Sequence, residues 1–426
     1  MFNQGLSLDQ APPIAVVLRF FLSLPFFGTL LAILMILYPH EIITPSHPIS
    51  LAAIHLFFLG VITMSMIGAL FQMQSVLGGR PIPAPGGNAL IIHTFLTAGV
   101  LSLCSAFLFT LAPLFILAAV LLGAALIYTA NLILPLLFGE ITHDTLRGMR
   151  LSLISLAITA LFGIVMASSY ANNSFSPSYD AIRTSHYSLG LIGWIATLII
   201  AVAFQVVEMF YVTSPYSLWC KRNGFRIITA SLALKILWLF LELPYVWVFD
   251  GILAALLFGF IATTVRRLHE RKRRVSDVSI WFWAFGLLML CVSLISHLLY
   301  LITSLQTFEI AALLGFGTFA LSIILGMIGK IVPFLVWFHL NAAGYMETPI
   351  MSNVIPAPRN KTLFILLVAG SVSAFLALLN PLFFRIAGIG VLALFVVLGY
   401  NLIAATRLYR HIHLSGKRFE FSPPQE

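Results

Sequence analysis

"HLFFLGVITMSMIGALFQMQSVLGGRP" occupies residues 55–81, and the fold turns on how it is read. It opens on a histidine and meets no charged side chain until Arg80. An apolar run of about 20 residues is what a helix needs to cross the ~30 Å hydrocarbon core of a bilayer. A similar string, "HYSLGLIGWIATLIIAVAFQVVEMF", fills residues 186–210 and again begins with histidine. The rest of the chain agrees. Its 426 residues are 60% hydrophobic and 9% charged, with a mean hydropathy of +1.04. A soluble domain carries about 25% charged residues. Lipid is therefore the solvent for most of this chain. Only helices and closed barrels satisfy their backbone there. Barrel strands need only ~9–11 residues, far less than these runs, so the fold class is all-α.

Twelve apolar spans follow, at 13–38, 50–74, 88–112, 114–138, 149–171, 187–213, 226–246, 248–265, 279–303, 310–338, 361–380 and 382–405. The division between the seventh and eighth rests on Pro244 and Asp250 alone. The reading is a single transmembrane domain over 1–426 with a tail at 406–426. Lysine and arginine concentrate on cytoplasmic loops. If the N-terminus lies inside, inner segments hold eighteen of them, including the six in "RRLHERKRR", and outer segments hold only Arg183 and Arg385. Both termini are thus expected in the cytoplasm. The net charge of +9 belongs to these loops and does not indicate nucleic acid. No basic stretch followed by a small-residue cleavage site opens the chain, so no removable leader is expected. Cys104, Cys220 and Cys291 are too scattered for a disulfide framework or a CxxC site.

Aligning Gln72, Gln205 and Lys330 aligns the apolar pattern of spans 2, 6 and 10. A match every four spans suggests three pseudo-repeated four-helix units, roughly 13–138, 149–265 and 279–405. The third copy lacks the leading histidine and has Ala311 and Ala312 near that place.

Topology then sorts the histidines. His55, His186 and His297 fall in the outer leaflet, and His93 and His339 at the inner face. The two sets are too far apart to share one metal. Neutral imidazole is the commonest metal ligand, and a tetrapyrrole between helices takes one axial group from each side. His55, His186 and His297 are the candidate cofactor ligands, and with His93 the candidate metal ligands. The plain alternative for each is a hydrogen-bonded ring near the membrane interface. Gly60 and Gly190 would leave room for a ring or simply let helices pack.

Other polar residues have two readings each. Lys235 and Glu242 share a face of span 7, as a proton path or a buried pair, unless Glu242 already lies at the surface. Glu208 and Lys330 sit at matching inner levels and would pair, unless Lys330 snorkels to headgroups. Arg19 near the inner end of span 1 is expected to snorkel. Met64, Met66, Met209 and Met327 read as core filler. "GGRPIPAPGG" lacks GxxxxGK[ST] and is a turn rather than a phosphate loop.

Twelve helices, internal termini, the four-span period and His55 at the outer end of span 2 together resemble subunit I of the haem-copper oxidases. "AVAFQVVEMF" and "GGRPIPAPGGNALIIH" are similar to stretches of the cbb3-type and nitric oxide reductase branch and of NnrS-like membrane proteins. The resemblance implies His55 as a ligand of a low-spin haem b and His186 near the place of a copper ligand. It also implies a bacterial cytoplasmic membrane and respiratory-complex subunits or a cytochrome as partners. The chain departs where copper would sit: "IITASLALKILWLF" has no histidine pair, and span 10 has only His339, at the wrong end. The resemblance therefore implies haem b rather than copper, held by His55 with His297 as partner. Its role would lie in electron transfer or nitric oxide and respiratory stress, without a complete haem-copper centre. A membrane transporter and a non-catalytic partner subunit are the competing readings. Whether the chain is an enzyme stays open.

Overall fold

The computed structural model describes residues 10–138, 144–272 and 277–418. Arg273, Arg274 and the end of the tail, all used above, lie outside the described residues, as does His143. Among the described residues, twelve helices are long and apolar enough to cross a membrane. They are α1 (Ile14–Leu37), α2 (Pro48–Gly78), α3 (Pro85–Phe109), α4 (Ala112–Leu137), α5 (Asp144–Asn172), α6 (Tyr179–Tyr211), α7 (Leu218–Phe240), α8 (Trp247–His269), α9 (Val278–Thr303), α10 (Gln306–Ala342), α11 (Ala357–Leu376) and α12 (Phe383–Ser415). Among the described residues there is no strand, only one isolated bridge between Tyr345 and Arg418. The chain is an all-α, multi-pass membrane protein.

The limits differ from the hydropathy where polar residues continue a helix. α6 begins at Tyr179 and takes in "DAIRTS", and α12 runs through "RLYRHIH" into the segment read as tail. Hydropathy marks only the part of a helix that lipid covers, whereas backbone hydrogen bonding continues until a cap stops it. Pro48 and Pro85 stand at first helical positions, where the missing N–H costs nothing. Gly79, at φ 61°, ends α2 in the left-handed conformation that glycine adopts freely.

Burial separates the helices into two classes. α2, α6 and α10 are buried over 67%, 72% and 72% of their apolar windows, against 28% for α7 and α11. The other nine pack each on the next in the order α1, α3, α4, α5, α7, α8, α9, α11, α12, and α12 returns to α1. They form a ring with α2, α6 and α10 inside it. Close approaches seal the seam between first and last helices: Gly399 lies against Pro25, and Gly388 against Ala32 and Met35.

Two of the inside helices are irregular at corresponding places. Leu56–Thr63 of α2 and Leu189–Ala196 of α6 are π-helical. They start 133 residues apart, the same offset as Gln72 and Gln205. The fifth residue of each is a glycine that a neighbouring side chain presses upon. A Cβ on Gly60 would lie 2.6 Å from the Phe27 ring, and one on Gly193 would meet the Ser155 hydroxyl. The indole N–H of Trp194 donates to Thr63 Oγ1 at 3.0 Å, joining the two segments. α10 has no π segment.

Candidate functional site

His55 closes the α-helical first part of α2, directly before its π segment. Its Nδ1 donates to the Leu51 carbonyl at 2.7 Å, one turn back. His186 precedes the π segment of α6, and its Nδ1 donates to the Thr159 carbonyl of α5 at 3.0 Å. A ring nitrogen facing a carbonyl must carry the proton, so both neutral rings keep their lone pair on Nε2. Neither Nε2 has a hydrogen-bond partner among the described residues. The two ring centres are 6.5 Å apart, with planes inclined at 36°. Phe107 of α3 stacks on His55 at 5.8 Å, and Phe115 and Tyr170 pack edge-on against Phe107. Gly163 of α5 gives way to the His186 ring, since a Cβ there would lie 3.2 Å from Cε1.

The structure therefore brings His55 to His186 and places His297 elsewhere. His297 Nε2 lies 3.4 Å from Asp250 Oδ1. Lys235 donates to the same Asp250 oxygen at 2.6 Å and to Ser188 Oγ at 3.1 Å. Four helices, α6 to α9, each supply one member of this buried cluster. Lys235 thus pairs with Asp250 and not with Glu242, which sits in the turn after α7 at φ 52°. Asp250 and Ser188 were missed by the sequence reading. The signal was present: α7 and α8 form a hairpin, and Lys235 and Asp250 stand at comparable depths on its two arms. Sequence spacing along one helix face does not show pairs across a hairpin.

His93 stays apart from both rings, its Nε2 2.6 Å from Ser23 Oγ of α1 and its ring edge-on to Phe20. His339 lies late in α10, against Phe338. The expected pairing of Glu208 with Lys330 does not form. Glu208 binds Lys221 at 2.8 Å and accepts from the Tyr216 N–H at 2.8 Å. Lys330 pairs with Asp277, which caps α9 by accepting from the Ser279 N–H. Burial works to raise the Asp277 carboxyl, but hydrogen bonds from Lys330 and Ser279 and the Lys330 charge outweigh it and hold the group below the usual carboxylate range.

The donor set can be tested against a metal centre. A metal–imidazole bond is about 2.0–2.1 Å, which places two imidazoles sharing one centre in line with ring centres roughly 6 Å apart. The observed 6.5 Å matches that span. Both rings also have the backbone partner that fixes the tautomer of a ligating histidine. The glycines contribute less than expected. Phe27 fills the space beside Gly60, and the Thr159 methyl lies 3.4 Å from where a Gly190 Cβ would be. No group of three or more His, Cys, Asp or Glu residues suited to a metal occurs among the described residues. The pair would thus supply two ligands, the number that a low-spin haem takes from its protein. No known family model matches the chain, and no curated protein matches its sequence.

Proposed function

We propose that the protein is a haem-binding membrane protein in which His55 and His186 would hold the iron. One observation carries this reading: two neutral imidazoles from neighbouring inside helices, each tied by Nδ1 to a carbonyl, lie with ring centres 6.5 Å apart, close to single-centre spacing. His186 takes the place expected for His297, because Asp250 engages His297. A b-type haem would supply one-electron transfer. The chain's own residues hold the rings: the Leu51 and Thr159 carbonyls set the tautomers, and Phe107 sets the plane of His55. The same reading takes the fold as three four-helix units. In its support, the inside helices are every fourth one, and two share a π segment at equal offset. It places the chain in a bacterial cytoplasmic membrane, with a cytochrome or respiratory subunit as electron partner.

The test is the redox difference spectrum of the purified protein. A low-spin spectrum is expected, lost or turned high-spin in His55→Ala and in His186→Ala, and retained in His297→Ala and His93→Ala. Equal Soret bands per polypeptide in parent and His55→Ala would refute the assignment. A transporter reading rests on the Lys235–Asp250–His297 cluster, since ionisable groups inside membrane helices commonly mark ion paths. Ion flux in proteoliposomes that Asp250→Asn abolishes would favour it.

A further inference from the structure

A separate feature lies between the inside helices. Beyond the π segments, where Trp194 and Thr63 join α6 to α2, the helices α2, α6 and α10 leave between them a cavity of about 80 Å³. Its wall includes Met66 and Met73 of α2, Ala203 of α6, Ile324 and Met327 of α10, and Trp283 of α9. The wall is almost wholly apolar. Ser65 also borders it, but its hydroxyl already donates to the Ile62 carbonyl at 2.7 Å. Trp283 offers at most one N–H. A buried water needs two to four polar partners, and larger apolar cavities lacking them stay dry and take up xenon or benzene. Three thioethers border the space. Methionine is flexible enough to fill gaps in a core, and its sulfur is polarizable; here the gap is left, with soft atoms on two sides. Ala203 of α6, with one of the smallest side chains, is part of the wall.

We propose that this cavity is a binding site for an uncharged apolar molecule of gas size. The chemistry of the wall excludes ions and water and selects by size and polarizability. Ser65 stands ten residues down α2 from His55, about 15 Å along the helix, so the site is distinct from the histidine pair and does not depend on it.

Xenon is the probe. The purified full chain is expected to show one saturable site in xenon-129 magnetic resonance, and under xenon pressure the atom should be located beside Met66 and Met327. Ala203→Leu, which fills the space, should weaken xenon binding at least tenfold. Ile324→Ala, which enlarges it, should bind at least as tightly as the parent. Absence of a saturable site in the parent, xenon located only elsewhere, or equal affinity in parent and Ala203→Leu would overturn the proposal. The location experiment needs no variant and decides the matter even where a substitution prevents folding.

Discussion

Asp250 places its carboxylate in the membrane between an ammonium and an imidazole. The Lys235 and Asp250 side chains are only 5% and 11% exposed, so each charge depends on the other for compensation. Removing one partner of a buried pair costs about 3–5 kcal/mol, while removing both together costs much less. Asp250→Asn should therefore lower the melting temperature in detergent sharply, and Lys235→Met combined with Asp250→Asn should recover a large part of the loss. Additive effects of the two changes would contradict the pairing. Asp277 presents a milder case at the start of α9. Its folded carboxyl titrates below its unfolded value near 4, so its contribution is present above that value and disappears as pH falls through the folded one. Asp277→Asn keeps an N-cap acceptor but loses the ion pair with Lys330. It should cost about 1 kcal/mol at neutral pH, and the difference from the parent should shrink in melts recorded at successively lower pH, below the unfolded value, and vanish once the folded carboxyl is protonated.

At the level of the helix, the π segments are the unusual elements. Such segments are rare and arise where a helix holds surplus residues. Within α2 the surplus sets how the outer part, which carries His55, is turned relative to the inner part. Deleting Leu59 would let the segment relax toward an α-helix and turn residues 48–58 by about 100°. The expected result is loss of any His55-dependent spectrum with helical circular dichroism unchanged. A spectrum that survives the deletion would show that the rotation of α2 is not what brings His55 to His186. Gly60 belongs to the same element. Any Cβ there meets Phe27, so Gly60→Ala should cost about 1–3 kcal/mol through forced repacking.

At the level of the whole molecule, the number of helices was readable because lipid imposes one length and one polarity on every span. Their arrangement as nine around three was not, because hydropathy is nearly equal in inside helices and ring helices: 2.1 for α2 and 2.2 for α4, although burial is 67% and 39%. In water an inside helix differs from an outside one by its polar face; in a bilayer both are covered by apolar matter. The same argument explains the candidate site. His55 and His186 were readable as rings near one end of the bundle, but that His186 and not His297 lies beside His55 required knowing that Asp250 faces α9. No rule of spacing along the chain contains that fact. Orientation remains a matter of charge. A reporter fused after Glu426 is expected to be active only in the cytoplasm, and activity only on the opposite side would overturn the assignment of the inner face.

The Trp194–Thr63 hydrogen bond ties the two π segments to each other, and this bears on how such a sequence can change by descent. Loss of one surplus residue from α2 alone turns its outer half while α6 stays as it was. The two histidines part, although every residue of the pair is still encoded. A compensating loss in α6 turns the partner too and restores a common frame. Deletions in 56–63 should therefore be rescued by deletions in 189–196, and suppressors selected for one segment should map to the other. The two segments behave as a single heritable unit, gained and lost together.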